Sequence, residues 1–134
     1  MRIGLVGAGP WALGTHAPAL AAHPDVTFTG AWARRPEAAQ ALGAPVFPSY
    51  ADLLDAVEAV AFAVPTAVQV PLAIQAAEAD KHLILEKPIE GSLAQAQELT
   101  EAVDAAGVAG VASMVLLTRR FAPATRQFLA SAAE

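Results

Sequence analysis

Cysteine is absent from this 134-residue chain, which excludes disulfides, cysteine zinc sites and thiol nucleophiles. Its absence does not itself assign a compartment. Basic residues are scarce, 8 against 13 acidic ones for a net charge of −5, and none form a run. A nucleic-acid partner is therefore not expected. No apolar run reaches the roughly 18 residues of a membrane helix, so no membrane span is expected. Met1-Arg2 and the alanine-rich sequence behind it imitate a secretory leader, but Gly4, Gly7, Gly9, Pro10 and Gly14 break up that segment. The expected location is the cytoplasm.

What is present is a core. Hydrophobic residues make up 55% of the chain and charged residues 16%, too apolar for disorder and sized for one domain. Strand and helix signals alternate. Residues 2–6 form a short apolar run ending at Gly7, and residues 11–22 are helical in composition. Residues 26–32 are rich in β-branched and aromatic side chains, and Pro36 opens a helix that Gly43 stops. Val46-Phe47 reads as a short strand, and Ser49 with Asp52 as a capping box.

Residues 57–64 form an almost wholly apolar run, the pattern of a central parallel strand. Thr66 with Gln69 reads as a second cap, ahead of a helix to Ala79. Residues 82–85 form another strand, and Ser92 with Gln95 caps a helix that Gly107 ends. Residues 108–117 are the last strand and 121–133 the last helix. About six strands alternating with helices predict an α/β fold: a Rossmann-type, doubly wound, mainly parallel sheet with helices on both faces.

The first turn carries chemistry. Gly7-Ala8-Gly9-Pro10-Trp11-Ala12 follows the first strand and opens the first helix. The first glycine allows a tight turn, and the second allows backbone to approach a pyrophosphate. Unpaired amides at the helix start then face the anion. Ala12 stands at the third position, where close helix–strand packing is needed. Pro10 has no amide, so the phosphate would rest on Trp11 and Ala12. A tight turn with no ligand is the plainer alternative.

NAD-binding domains usually end the second strand with Asp or Glu, bonded to the ribose 2′-hydroxyl. Here that strand runs into Ala33-Arg34-Arg35. Arginine binds a 2′-phosphate through charge-assisted bonds, so NADP is expected over NAD. Otherwise the pair is a solvated helix start. Further on, residues 82–85 run into Glu86-Lys87-Pro88. Charges at the carboxyl end of a buried strand point into the crevice where open α/β sheets bind ligands. Lys87 is the candidate catalytic residue, able to stabilise negative charge on a substrate oxygen. The alternative is a surface lysine ahead of a proline, whose preceding bond can be cis.

These residues resemble the Gfo/Idh/MocA family, the glucose–fructose oxidoreductase and inositol dehydrogenase group. The likeness covers the glycine turn with His16 and Pro18, and the apolar strand ending in Val64-Pro65. Lys81-His82 followed by Leu83 to Pro88 resembles the family's KHVLxEKP signature. Arg120-Phe121-Ala122-Pro123 is similar to its RFxP segment. The resemblance implies that Lys87 contacts the nicotinamide ribose and the substrate hydroxyl. It implies that Val64, Pro65 and Thr66 line the cofactor, with Glu86, Pro88 and Arg120 in the same set. The substrate implied is a sugar or polyol, and the expected assembly a homo-oligomer.

The family usually has His at Gln69, Gly at Asp80 and Asn at Thr66. It also carries a second, mainly antiparallel domain that supplies the general acid/base histidine. His16, His23 and His82 are read as helix-face or strand-start residues rather than substitutes for it. Residues 1–120 are thus expected to be the NAD(P)-binding domain, and 121–134 the start of a connection to an absent substrate domain. The fragment alone is expected to be inactive. The Gln69 and Asp80 changes motivate another reading, a non-catalytic nucleotide sensor. A third reading is an interaction protein, with association through residues 111–117 and the last helix.

Overall fold

The computed structural model describes residues 1–89, 91–108 and 110–132. Five strands form one parallel sheet: β1 (Arg2–Val6), β2 (Thr27–Trp32), β3 (Ala59–Phe62), β4 (His82–Leu85) and β5 (Ser113–Val115). Their order is β2-β1-β3-β4-β5. The helices are α1 (Ala17–Ala22), α2 (Pro36–Ala39), α3 (Tyr50–Ala56), α4 (Thr66–Glu78), α5 (Leu93–Val108) and α6 (Pro123–Ser131).

Alternation along each strand sorts the core into two layers. Val6, Val60, Phe62, Leu83 and Leu85 face α3, α4 and α5. Ile3, Leu5, Ala59 and Ala61 face the other way, against Ala12, Ala17 and Ala39. β3 is buried at every position, which its unbroken apolar run requires. Two small cores with helices on both sides are the expected α/β architecture.

Among the described residues the sheet has five strands, not six. Val46 makes only an isolated parallel bridge to Ala31. The Ala31 amide donates to the Pro45 carbonyl (2.8 Å), and the Phe47 amide to the Ala31 carbonyl (2.9 Å). Pro45 and Pro48 bracket this pair, and prolines cannot donate to extend a ladder. The last strand is also shorter than expected, because Val108 still belongs to α5. Ala109, within that expected strand, and Ala133, at the end of the expected last helix, lie outside the described residues.

The caps divide as well. Ser49 Oγ accepts the Asp52 amide (3.1 Å), the bond the sequence predicts. The predicted Thr66–Gln69 cap does not form. Pro65 stands at the N-cap of α4 without a side-chain bond, and Gln69 is fully buried. At the other end of α4, the Asp80 amide donates to Ala77 and the Lys81 amide to Ala76 (both 2.9 Å). This closure needs a left-handed residue, and Asp80 has φ 57°. Glycine takes that conformation without strain. Asp80→Gly should therefore raise the unfolding free energy by ~1 kcal/mol, measurable by chemical denaturation.

Candidate functional site

The strand order reverses between β1 and β3, so a crevice opens beyond their carboxyl ends. Gly7 sits there with φ +113°. A Cβ at residue 7 would lie 2.3 Å from the Ala63 carbonyl oxygen, so only glycine lets the two strand ends abut. The Gly7 amide donates to the Trp32 carbonyl (2.9 Å), which fixes the turn but removes that donor from any ligand.

Gly9 is different. A Cβ there would meet nothing within 4 Å. Its missing side chain leaves open space above the turn rather than relieving a clash inside the fold. The first amide bonded inside the helix is that of Leu13, to the Gly9 carbonyl (3.0 Å). The Trp11 and Ala12 amides precede it, in the stretch where helices leave donors without intrahelical acceptors. Ala12 itself is fully buried in the smaller core, a packing role that suits its place in the motif.

Two clefts flank this turn and share Gly9, Ala63, Val64 and Pro65. One, of about 200 Å³, extends over Gly7, Ala8, Trp32, Arg34 and Arg35. Among the described residues its only charged lining residues are the two arginines, and both are exposed. The other, of about 580 Å³, runs over Pro10, Trp11 and Thr66 to Glu86, Lys87 and Thr118. Lys87 also borders a neighbouring hollow with Leu117, Thr118 and Arg119.

Most of the residues singled out in the sequence therefore converge on one crevice. Pro88 follows a cis Lys87–Pro88 peptide and lines neither cleft. Arg120 is not brought to either cleft. It lies on the 3₁₀ turn Thr118–Phe121, of which Thr118 lines the larger cleft. Thr118 is the residue that sequence reasoning missed there.

The Glu86 segment is held from three sides. The Gln69 side chain accepts the Glu86 amide (2.8 Å) and donates to the Glu86 carbonyl (3.1 Å). It thus prolongs β4 with a side chain where neighbouring backbone has run out. The Glu86 carboxylate accepts the Trp11 indole N–H (2.5 Å) and the Lys87 amide (3.3 Å), and lies 3.0 Å from His16 Nε2. Glu86 therefore ties Trp11, His16 and the Lys87 backbone together. His82 and His23 accept backbone amides through Nδ1, from Ala112 (2.9 Å) and Asp25 (3.2 Å), as structural histidines do. Among the described residues no group of three or more potential metal ligands exists, and no helix is long and apolar enough to cross a membrane.

The two glycines make separable predictions. Gly7→Ala should cost ~3 kcal/mol of stability, because backbone cannot retreat from a new Cβ. Gly9→Val should leave stability within ~0.5 kcal/mol while abolishing anion binding at the turn. Denaturation curves and ligand titration of the two variants check this.

Residues 1–113 match a family described as oxidoreductases with an NAD-binding Rossmann fold, GFO_IDH_MocA. A dTDP-3,4-didehydro-2,6-dideoxy-alpha-D-glucose 3-reductase from Streptomyces antibioticus is 33% identical over 105 residues, 74% of this chain and 32% of that protein. The WlbA dehydrogenase from Bordetella pertussis, solved with NADH and UDP-GlcNAcA, is 30% identical with a TM-score of 0.78, covering 90% of this chain and 36% of that one. A 3-ketoreductase variant from Actinomadura kijaniata, solved with TDP-benzene and NADP, is 27% identical with a TM-score of 0.86, covering 99% and 43%. The chain thus spans about a third to two fifths of the length of these proteins.

Proposed function

The chain belongs to the Gfo/Idh/MocA oxidoreductase family, as its NAD-binding Rossmann domain, and from that premise we propose that it binds NADP(H) in preference to NAD(H) across the crevice. The observation that carries this reading is the pair of clefts joined at Gly9, one bearing Arg34 and Arg35, the other Lys87. A dinucleotide has that shape, two ends joined by a diphosphate.

The adenosine end belongs beside the arginines, whose guanidinium groups suit a 2′-phosphate. The diphosphate rests on the turn, at the Trp11 and Ala12 amides. The nicotinamide end lies along Trp11, Pro65 and Thr66, within reach of Lys87. The cofactor supplies hydride chemistry, and the protein supplies orientation and charge. Lys87 steadies the substrate oxygen as its proton leaves or arrives. The substrate is a sugar or polyol, and a relative solved with UDP-GlcNAcA and another that is a dideoxyglucose 3-reductase support a sugar-type carbon.

In the intact enzyme the general acid/base histidine comes from outside these residues. His16, His23 and His82 are all engaged elsewhere. This chain alone should therefore bind dinucleotide and turn over nothing. The Gln69 departure, which favours a mere sensor, has a structural ground, its clasp on Glu86, and Asp80 occupies a left-handed helix end that it can still adopt.

Calorimetric titration with NADPH and NADH tests the cofactor choice. NADPH should bind more tightly, and replacing Arg34 and Arg35 together with Ala should weaken NADPH by about ten- to a hundredfold while sparing NADH. Equal or tighter binding of NADH by the unaltered chain contradicts the assignment.

A further inference from the structure

We propose that His16 is a positioning residue, which acts through the Glu86 carboxylate to hold Trp11 and Lys87 in place around the nicotinamide-side cleft. The inference rests on the dinucleotide reading above and adds to it a part of the molecule that lines neither cleft.

His16 is buried, 6% exposed, and its Nε2 lies 3.0 Å from Glu86 Oε1. The same oxygen accepts the Trp11 indole N–H, and Oε2 accepts the Lys87 amide. With the Glu86 side chain only 12% exposed, its lone pairs must be met by protein donors. His16 is the one of those donors that lies in the interior. The rings of Trp11 and His16 meet edge-on, with centroids 6.3 Å apart at 79°. Trp11 is 48% exposed, yet it is pinned at both its ring edge and its N–H. A half-exposed aromatic fixed in this way is a prepared wall for a planar ring.

The local backbone is shaped to make this contact. Ala12–His16 form a π-turn, closed by the Ala17 amide on the Ala12 carbonyl. Pro18 has no amide to offer Gly14, so an ordinary helical bond is missing there. In an α-helix residues 11 and 16 would project about 140° apart. The wider turn brings both to one carboxylate oxygen. Such turns cluster at functional positions.

His16 thus links the helix that opens at the glycine turn to the strand end that carries Lys87. It touches neither substrate nor cofactor. If it were merely structural, its loss would weaken every ligand alike. If it positions the nicotinamide side, its loss should be felt only by ligands that reach that side.

The test is titration of the full chain with NADPH and with ADP, which has adenosine and diphosphate but no nicotinamide riboside. His16→Met should weaken NADPH roughly tenfold and leave ADP unchanged. His16→Gln, which restores an N–H to Glu86, should recover most of the NADPH affinity. In the unaltered chain the Trp11 indole N–H resonance should shift with NADPH and stay still with ADP, a readout that needs no variant. Equal losses for both ligands, or an indole signal indifferent to NADPH, overturn the proposal. An unaltered chain that binds neither ligand overturns the dinucleotide reading itself.

Discussion

The approach of two strand ends at Gly7 governs the rest of this molecule. The 2.3 Å between a Cβ built at residue 7 and the Ala63 carbonyl means that β1 and β3 can end side by side only around glycine. That contact, with the Gly7 amide tied to Trp32, sets where the first helix begins. It also sets the crevice, since the sheet reverses order at those two strands. Clefts on either side of Gly9 follow from it, one ending at arginines and the other at a lysine.

Much of this was legible in the sequence because it depends on local chemistry. Paired glycines after a short apolar run, an unbroken apolar strand, and Ser49 before Asp52 each have one cheap structural solution. The failures have other causes. Val46-Phe47 has strand composition, but flanking prolines cut its ladder to a bridge. Gln69 has the spacing of a cap, but the unpaired backbone of Glu86 draws it into the interior. Residue 108 has a strand-former's side chain and still ends a helix. At Val46-Phe47 the adjacent prolines decided the outcome, and at Gln69 a partner distant in sequence did.

The same reason hid the Trp11–Glu86–His16 linkage. Residues 11 and 16 do not share a face of an α-helix, so helical spacing gave no hint that they meet. Only the π-turn, with Gly14 inside it and Pro18 just after it, makes them neighbours. Likewise Arg120 belongs to a recognisable segment, yet Thr118 of the same turn lines the cleft instead. Motifs fixed which segments mattered, and backbone winding chose the residues within them.

The central claim is that bare amides at the start of the first helix receive a diphosphate. A nitrogen–proton correlation spectrum of the full chain, recorded as ADP is added, reads those amides one by one. The account predicts the largest shifts at Gly9, Trp11 and Ala12, with the Gly7 amide moving less because Trp32 already holds it. Shifts that leave this turn untouched, or that gather at the far end of the sheet around Ala112 and Ser113, would contradict it.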